Sequence, residues 1–201
     1  MYWTRLVAAV AVLGMLVMPA LSRADVDPGQ LYAPQGHAAA KPVDSMIAVA
    51  VGDAAPDFGL PALNGTVVRL SQFRGISNVV LSFVPAAFTP VCSGQWPGYN
   101  IARELFEQHN AVLLGITTDN LPSLHAWTRQ MDPQGMWFPV LSDFWPHGAV
   151  ASLYGILRPE GVTERAIFII DRQGIIRHIE ITDINLRPDL GGIIKKLSEL
   201  Q

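Results

Sequence analysis

A chain of 201 residues, half of them apolar and with a net charge of −3, has one core's worth of apolar sequence, so one domain plus an appendage is expected. With 14 basic against 17 acidic residues there is no basic surplus to attract nucleic acid. No glycine-rich phosphate loop and no clustered His/Cys/Asp set stands out, so no cofactor and no metal is expected.

The first residues read as an address rather than as fold. Arg5 is a positive start, residues 6–18 are almost wholly apolar, Pro19 and Ala20 break the run, and Ser22-Arg23-Ala24 offers small residues at the −3 and −1 positions. Residues 1–24 are therefore expected to be a signal peptide cleaved after Ala24, with export to the periplasm, cell envelope or medium. The alternative is an uncleaved N-terminal membrane anchor, although the apolar run is short for a span of about 20 residues. Residues 25–50, rich in Ala, Pro, Gly and Asp without a sustained period, read as a flexible linker, and His37 within them as a solvated side chain.

Residues 51–201 carry the periodic sequence. Asn64-Gly65 is a hairpin dipeptide between short extended pieces at 58–60 and 67–70, and Ser71 can cap a short turn through Phe73. Val79-Val80-Leu81-Ser82-Phe83-Val84 reads as a buried strand. Helical content follows over 94–108, with Ile101 and Leu105 on one apolar face. Residues 111–117 form a second buried strand, and Asp119 or Asn120 caps a helix over 122–131. His125 on it reads as a surface residue and Trp127 as a core aromatic. A short strand lies within 138–143, a helix over 149–154, and a strand over 165–171. Gln173-Gly174 turns that strand into a second one at 175–181. A closing helix over 189–200 presents Ile193, Ile194 and Leu197. Alternating strands and helices followed by a hairpin and a last helix predict an α/β fold, a central mixed sheet flanked by helices.

The single cysteine, Cys92, ends the loop Pro85-Ala86-Ala87-Phe88-Thr89-Pro90-Val91-Cys92, where the buried strand hands over to a helix. Free backbone N–H groups and the positive end of a helix dipole at such a place favour a thiolate. Thr89 is placed so that its hydroxyl can turn toward the sulfur, and Pro85 and Pro90 stiffen the loop. One cysteine excludes an internal disulfide, so any disulfide must form with another molecule.

Pro85-x-x-x-Thr89-x-x-Cys92 resembles the active-site signature of the peroxiredoxins, the alkyl hydroperoxide reductase/thiol-specific antioxidant family. Ser142-Asp143-Phe144-Trp145-Pro146-His147-Gly148, with Tyr154-Gly155 beyond it, is similar to the one-cysteine alkyl hydroperoxide reductase E-type peroxiredoxins. The resemblance runs from Val51 nearly to the C-terminus. It implies a thioredoxin-like fold, a hydroperoxide substrate, an external thiol or thioredoxin/glutaredoxin-like protein as reductant, and a homodimer, with no nucleic acid and a membrane only if the N-terminal segment stays uncleaved. It also implies Cys92, Thr89, Pro85 and Arg165 as the catalytic set, Arg165 matching an arginine that opens a late strand. Exposed aromatics such as Phe144 and Trp145 could serve the dimer.

One position departs from the pattern. The family commonly has a glutamate three residues after its cysteine, and this chain has Gln95, so how Arg165 is oriented is an open question. The chemistry expected is attack of the Cys92 thiolate on a peroxide oxygen, leaving a sulfenic acid. A helix end supplies about 0.3–1 kcal/mol of the thiolate stabilisation, and Arg165 is the candidate for the remainder. Two other readings stand beside it. A disulfide exchanger of the same fold would normally need Cys-x-x-Cys, which Gln95 denies; a single-cysteine redox sensor or thiol-binding module would react once without turnover.

Overall fold

The computed structural model describes residues 41–200; the expected signal peptide, most of the expected linker and His37 lie outside the described residues. Among the described residues there are seven strands, β1 (Gly59–Pro61), β2 (Val67–Arg69), β3 (Asn78–Phe83), β4 (Ala111–Thr117), β5 (Val140–Ser142), β6 (Arg165–Ile170) and β7 (Ile176–Thr182). Accompanying them in the same residues are the helices α1 (Pro90–Ile101), α2 (Arg103–Gln108), α3 (Leu121–Met131), α4 (Ala149–Tyr154) and α5 (Leu190–Ser198), with a 3-10 turn at Leu70–Phe73. β1 and β2 form an antiparallel hairpin. The other five make one mixed sheet in the order β5-β4-β3-β6-β7, in which β3, β4 and β5 are parallel and β6 and β7 antiparallel to their neighbours.

Every residue of β3 and β6 is buried because both faces of the central sheet are covered. Strand alternation then sorts their side chains. Val79, Leu81 and Phe83 of β3 and Ala166, Phe168 and Ile170 of β6 enter one core with the hairpin and α4. Val80 of β3, Val84 just beyond it, and Ile167 and Ile169 of β6 enter the other, with α1, α2, α3 and α5. By the same period Ser82 and Arg165 belong to the second face, the one that α1 covers. Gly115 on β4 lets α1 approach: a Cβ there would lie 2.8 Å from the Trp96 ring and 3.0 Å from Phe138.

α1 is a poor helix by composition, holding Gly94, Pro97 and Gly98, and tertiary packing of Trp96 and Tyr99 carries it. It begins at Pro90, earlier than the sequence predicts, because proline at the first helical position is pre-set in φ and lacks the N–H that would go unpaired. The predicted continuous stretch is two helices broken at Ala102. Ile101 and Leu105 do not face the core; Ile101 is 88% exposed, and Tyr99, Ala102 and Phe106 are buried instead.

Two smaller expectations also shift. The 3-10 turn is capped at Arg69, whose N–H donates to the Gln72 side chain, while Ser71 gives its backbone N–H to Asp57. Residues 41–50, which composition places in the linker, run along the domain: Asp44 N–H donates to Glu164, Ala48 N–H to the Tyr154 carbonyl, and Val49 packs on the first core. The remaining elements fall where the patterns put them, including the Asn120 cap of α3 and the Asp189 cap of α5.

Candidate active site

β3 ends at Phe83, the chain turns through buried Pro85, and α1 starts at Pro90, so Cys92 is the third residue of the helix. The first bond of the helix runs from Ser93 N–H to the Thr89 carbonyl at 2.9 Å. The N–H groups of Val91 and Cys92 therefore precede the ladder and point out of the helix start. Cys92 itself is fully buried on the second core face.

Arg165 opens β6 on that same face and is also buried. Its Nη2 donates to Cys92 Sγ at 3.3 Å, its Nη1 to Gln95 Oε1 at 2.7 Å, and Nη2 and Nε both donate to the Ile184 carbonyl, at 2.9 and 3.3 Å. The two catalytic candidates that lie 73 positions apart in sequence are thus in direct contact. Among the described residues no carboxylate stands within ion-pair distance of the guanidinium. A buried guanidinium stays charged, and the group beside it able to take a compensating negative charge is the Cys92 sulfur.

Gln95 answers the question its sequence position raises. As an acceptor it orients Arg165; as a donor its Nε2 reaches Ser82 Oγ and Tyr99 OH, each at 3.2 Å. Burial pushes the Tyr99 phenol up, so it stays protonated at neutral pH. Ser82 also accepts from Trp96 Nε1 at 3.2 Å. Ser82 is the one polar residue inside the apolar run 79–84, and that interruption was the available signal for it. Nothing in the sequence marks Ile184, which acts through its carbonyl alone.

Thr89 sits at the N-cap position, but its hydroxyl donates to the Ala86 carbonyl at 3.0 Å and so spends its proton on the loop rather than on the sulfur. Only its lone pairs remain to accept. Phe88, next to it, is exposed and lies in the left-handed region at φ 61°, a costly conformation for an aromatic residue. Asp119 steadies the loop beside this strain, accepting from Ala87 N–H at 2.7 Å and from Thr117 Oγ1 at 2.6 Å. Among the described residues no group of three or more His, Cys, Asp or Glu side chains could hold a metal ion.

A thioredoxin-like sheet that delivers one thiol to a helix start, under an arginine with no carboxylate partner, defines a thiol redox protein in which the reactive sulfur works without a second cysteine. The AhpC/TSA family model matches residues 51–179, and the chain belongs to that family, the peroxiredoxins. It is 41% identical over 132 residues to alkyl hydroperoxide reductase E of Mycobacterium tuberculosis (strain ATCC 25618 / H37Rv), covering 65% of this chain and 84% of that protein. It is 38% identical over 139 residues to peroxiredoxin TSA1 of Saccharomyces cerevisiae, covering 67% of this chain and 69% of that one. Among solved structures, the reduced 2-Cys peroxiredoxin of Plasmodium vivax matches with a TM-score of 0.69 and 26% identity, over 75% of this chain and 81% of that chain.

Proposed function

We propose that this protein is a thiol-dependent peroxidase that reduces hydrogen peroxide or an organic hydroperoxide by a one-cysteine mechanism. The observation that carries the reading is the 3.3 Å contact from Arg165 Nη2 to Cys92 Sγ in a buried site. The Cys92 thiolate attacks the terminal peroxide oxygen; an S–O bond forms, the O–O bond breaks, and the leaving alkoxide or hydroxide takes a proton to become alcohol or water. Arg165 and the free N–H groups at the start of α1 stabilise charge as the O–O bond stretches. Thr89 accepts through its hydroxyl oxygen, and Pro85 shields the sulfur from bulk solvent. The sulfenic acid then condenses with an external thiol, releasing water, and a second thiol reduces the mixed disulfide.

Three further assignments go with this reading. The partner is a low-molecular-weight thiol or a thioredoxin/glutaredoxin-like protein, and the assembly is a homodimer; the exposure of Phe144 and of Trp145, which is 81% exposed, supports an apolar contact surface. The protein acts outside the cytoplasm, supported by the composition of residues 1–24; intact mass of the native protein should place its N-terminus at Asp25.

Stopped-flow tryptophan fluorescence tests the chemistry. Trp127 Nε1 donates to Ser93 Oγ, beside Cys92, at 2.9 Å, so the signal should report oxidation of the sulfur. Rapid single-exponential changes with hydrogen peroxide and with a fatty-acid hydroperoxide, absent in Cys92→Ser, are expected. Sustained consumption with added thiol separates an enzyme from a sensor that reacts once.

A further inference from the structure

Residues 41–48 form a strap against Arg158, Glu164, Ile184 and Gly155, beside the start of the strand that Arg165 opens. The Lys41 carbonyl accepts from Arg158 Nη2 at 3.1 Å, the Pro42 carbonyl from Ile184 N–H at 3.2 Å, and Asp44 N–H donates to Glu164 Oε1 at 2.7 Å. Further on, Ala48 N–H donates to the Tyr154 carbonyl at 3.1 Å. The strap crosses Gly155 so closely that a Cβ at that residue would stand 2.2 Å from Ala48 N and 2.3 Å from the Met46 carbonyl oxygen. It rests on a buried ion pair, Arg158 Nη1 to Glu164 Oε2 at 2.9 Å.

Two of these bonds lead into the site. Ile184 is held through its N–H by Pro42, and through its carbonyl it holds Arg165 Nη2 and Nε. Glu164, held by Asp44 N–H, is the residue before Arg165 in the chain. The strap thus holds the side chain of the residue just before Arg165 and the carbonyl that orients its guanidinium. This matters because the guanidinium's remaining restraint, apart from the sulfur, is the single bond to neutral Gln95. The strap is also incompletely bonded: its Ser45 Oγ is buried without a hydrogen-bond partner among the described residues, which lowers the cost of releasing it.

We propose that residues 41–48 are a positioning element for the peroxide reaction, holding Arg165 on Cys92 through Ile184 and Glu164. The proposal rests on the peroxidase reading above. Lifting the strap leaves the thiol in place and lets the guanidinium wander. Attack on a peroxide, which needs arginine both for the thiolate and for the charge on the leaving oxygen, slows more than reaction with a neutral alkylating agent, which needs the thiolate alone.

Asp44→Pro in the full chain deletes the N–H that bonds Glu164, and Asp44→Ala is its control, keeping the N–H and losing only an exposed pair with Lys41. The rate constant for hydrogen peroxide is expected to fall about fivefold or more in Asp44→Pro and to stay within about twofold of wild type in Asp44→Ala. Iodoacetamide alkylation of Cys92 should slow by a smaller factor in Asp44→Pro than the peroxide reaction does. In an Arg165→Lys background, Asp44→Pro should have no further effect, since the group it positions is gone. If Asp44→Pro does not fold, Gly155→Ala, which pushes the strap off from below, is held to the same criteria. Equal rates in Asp44→Pro and Asp44→Ala, or the same loss in the Arg165→Lys background, would overturn the proposal. A wild-type protein that ignores peroxide would instead sink the peroxidase reading itself.

Discussion

Gln95 Oε1 accepts from Arg165 Nη1 at 2.7 Å, so a neutral amide does the orienting at the position where the resemblance pointed to a glutamate as the common residue. The consequence is electrostatic. A carboxylate would share the guanidinium's charge with the sulfur; an amide orients the guanidinium while leaving its full charge to Cys92. The amide also has donors, and these reach Ser82 and Tyr99.

Gln95→Leu should therefore damage the protein twice. It leaves Arg165 Nη1 unpaired in a buried site, a loss of about 1–3 kcal/mol in unfolding free energy, and it slows the peroxide reaction. Gln95→Glu should restore the rate toward wild type, because the hydroxyls of Ser82 and Tyr99 can turn their hydrogens to a carboxylate oxygen. Urea unfolding and stopped-flow fluorescence check the two effects separately.

Arg165→Lys keeps the charge and loses the planar fork that holds Gln95, Ile184 and the sulfur at once. The rate constant for peroxide should drop by about tenfold or more with the fold retained. A rate within about twofold of wild type would remove Arg165 from the reaction.

Asp119→Ala frees Ala87 N–H next to the left-handed Phe88. Stability should fall by about 1–3 kcal/mol, and oxidation of Cys92 should slow because the loop loses its fixed course. Asp119→Asn keeps an acceptor and should recover most of both. Thermal unfolding with parallel rate measurements decides this.

The second half of the cycle follows from the cysteine count. A sulfenic acid on Cys92 has no other thiol in its own chain, and a second copy uses its only thiol at its own site. One equivalent of peroxide followed by a small thiol should leave a single adduct at Cys92 by mass spectrometry. Excess peroxide without thiol should add two or three oxygens and end activity. Sustained peroxide consumption with no reductant would show the cycle to be wrong.

Periodicity alone located the central strands and the closing helix, because buried strands and an amphipathic helix write their burial directly into residue order. The cysteine, its loop and Arg165 were likewise readable, since a lone thiol between strand and helix and an arginine heading an apolar run are local features. What lay beyond reach were contacts between distant segments. Ile101 and Leu105 look like a core face and are exposed, because the packing of the helices, broken at Ala102, puts Tyr99, Ala102 and Phe106 inward instead. The seating of residues 41–48 on Glu164 and Gly155 leaves no compositional trace, since its bonds are mostly made by backbone atoms that every residue owns. The same holds at the site: residue types nominated Cys92 and Arg165, but only sheet register, which sets Arg165 on the face that α1 covers, brings its guanidinium to the sulfur, and only the Ile184 carbonyl and the Gln95 amide hold it there.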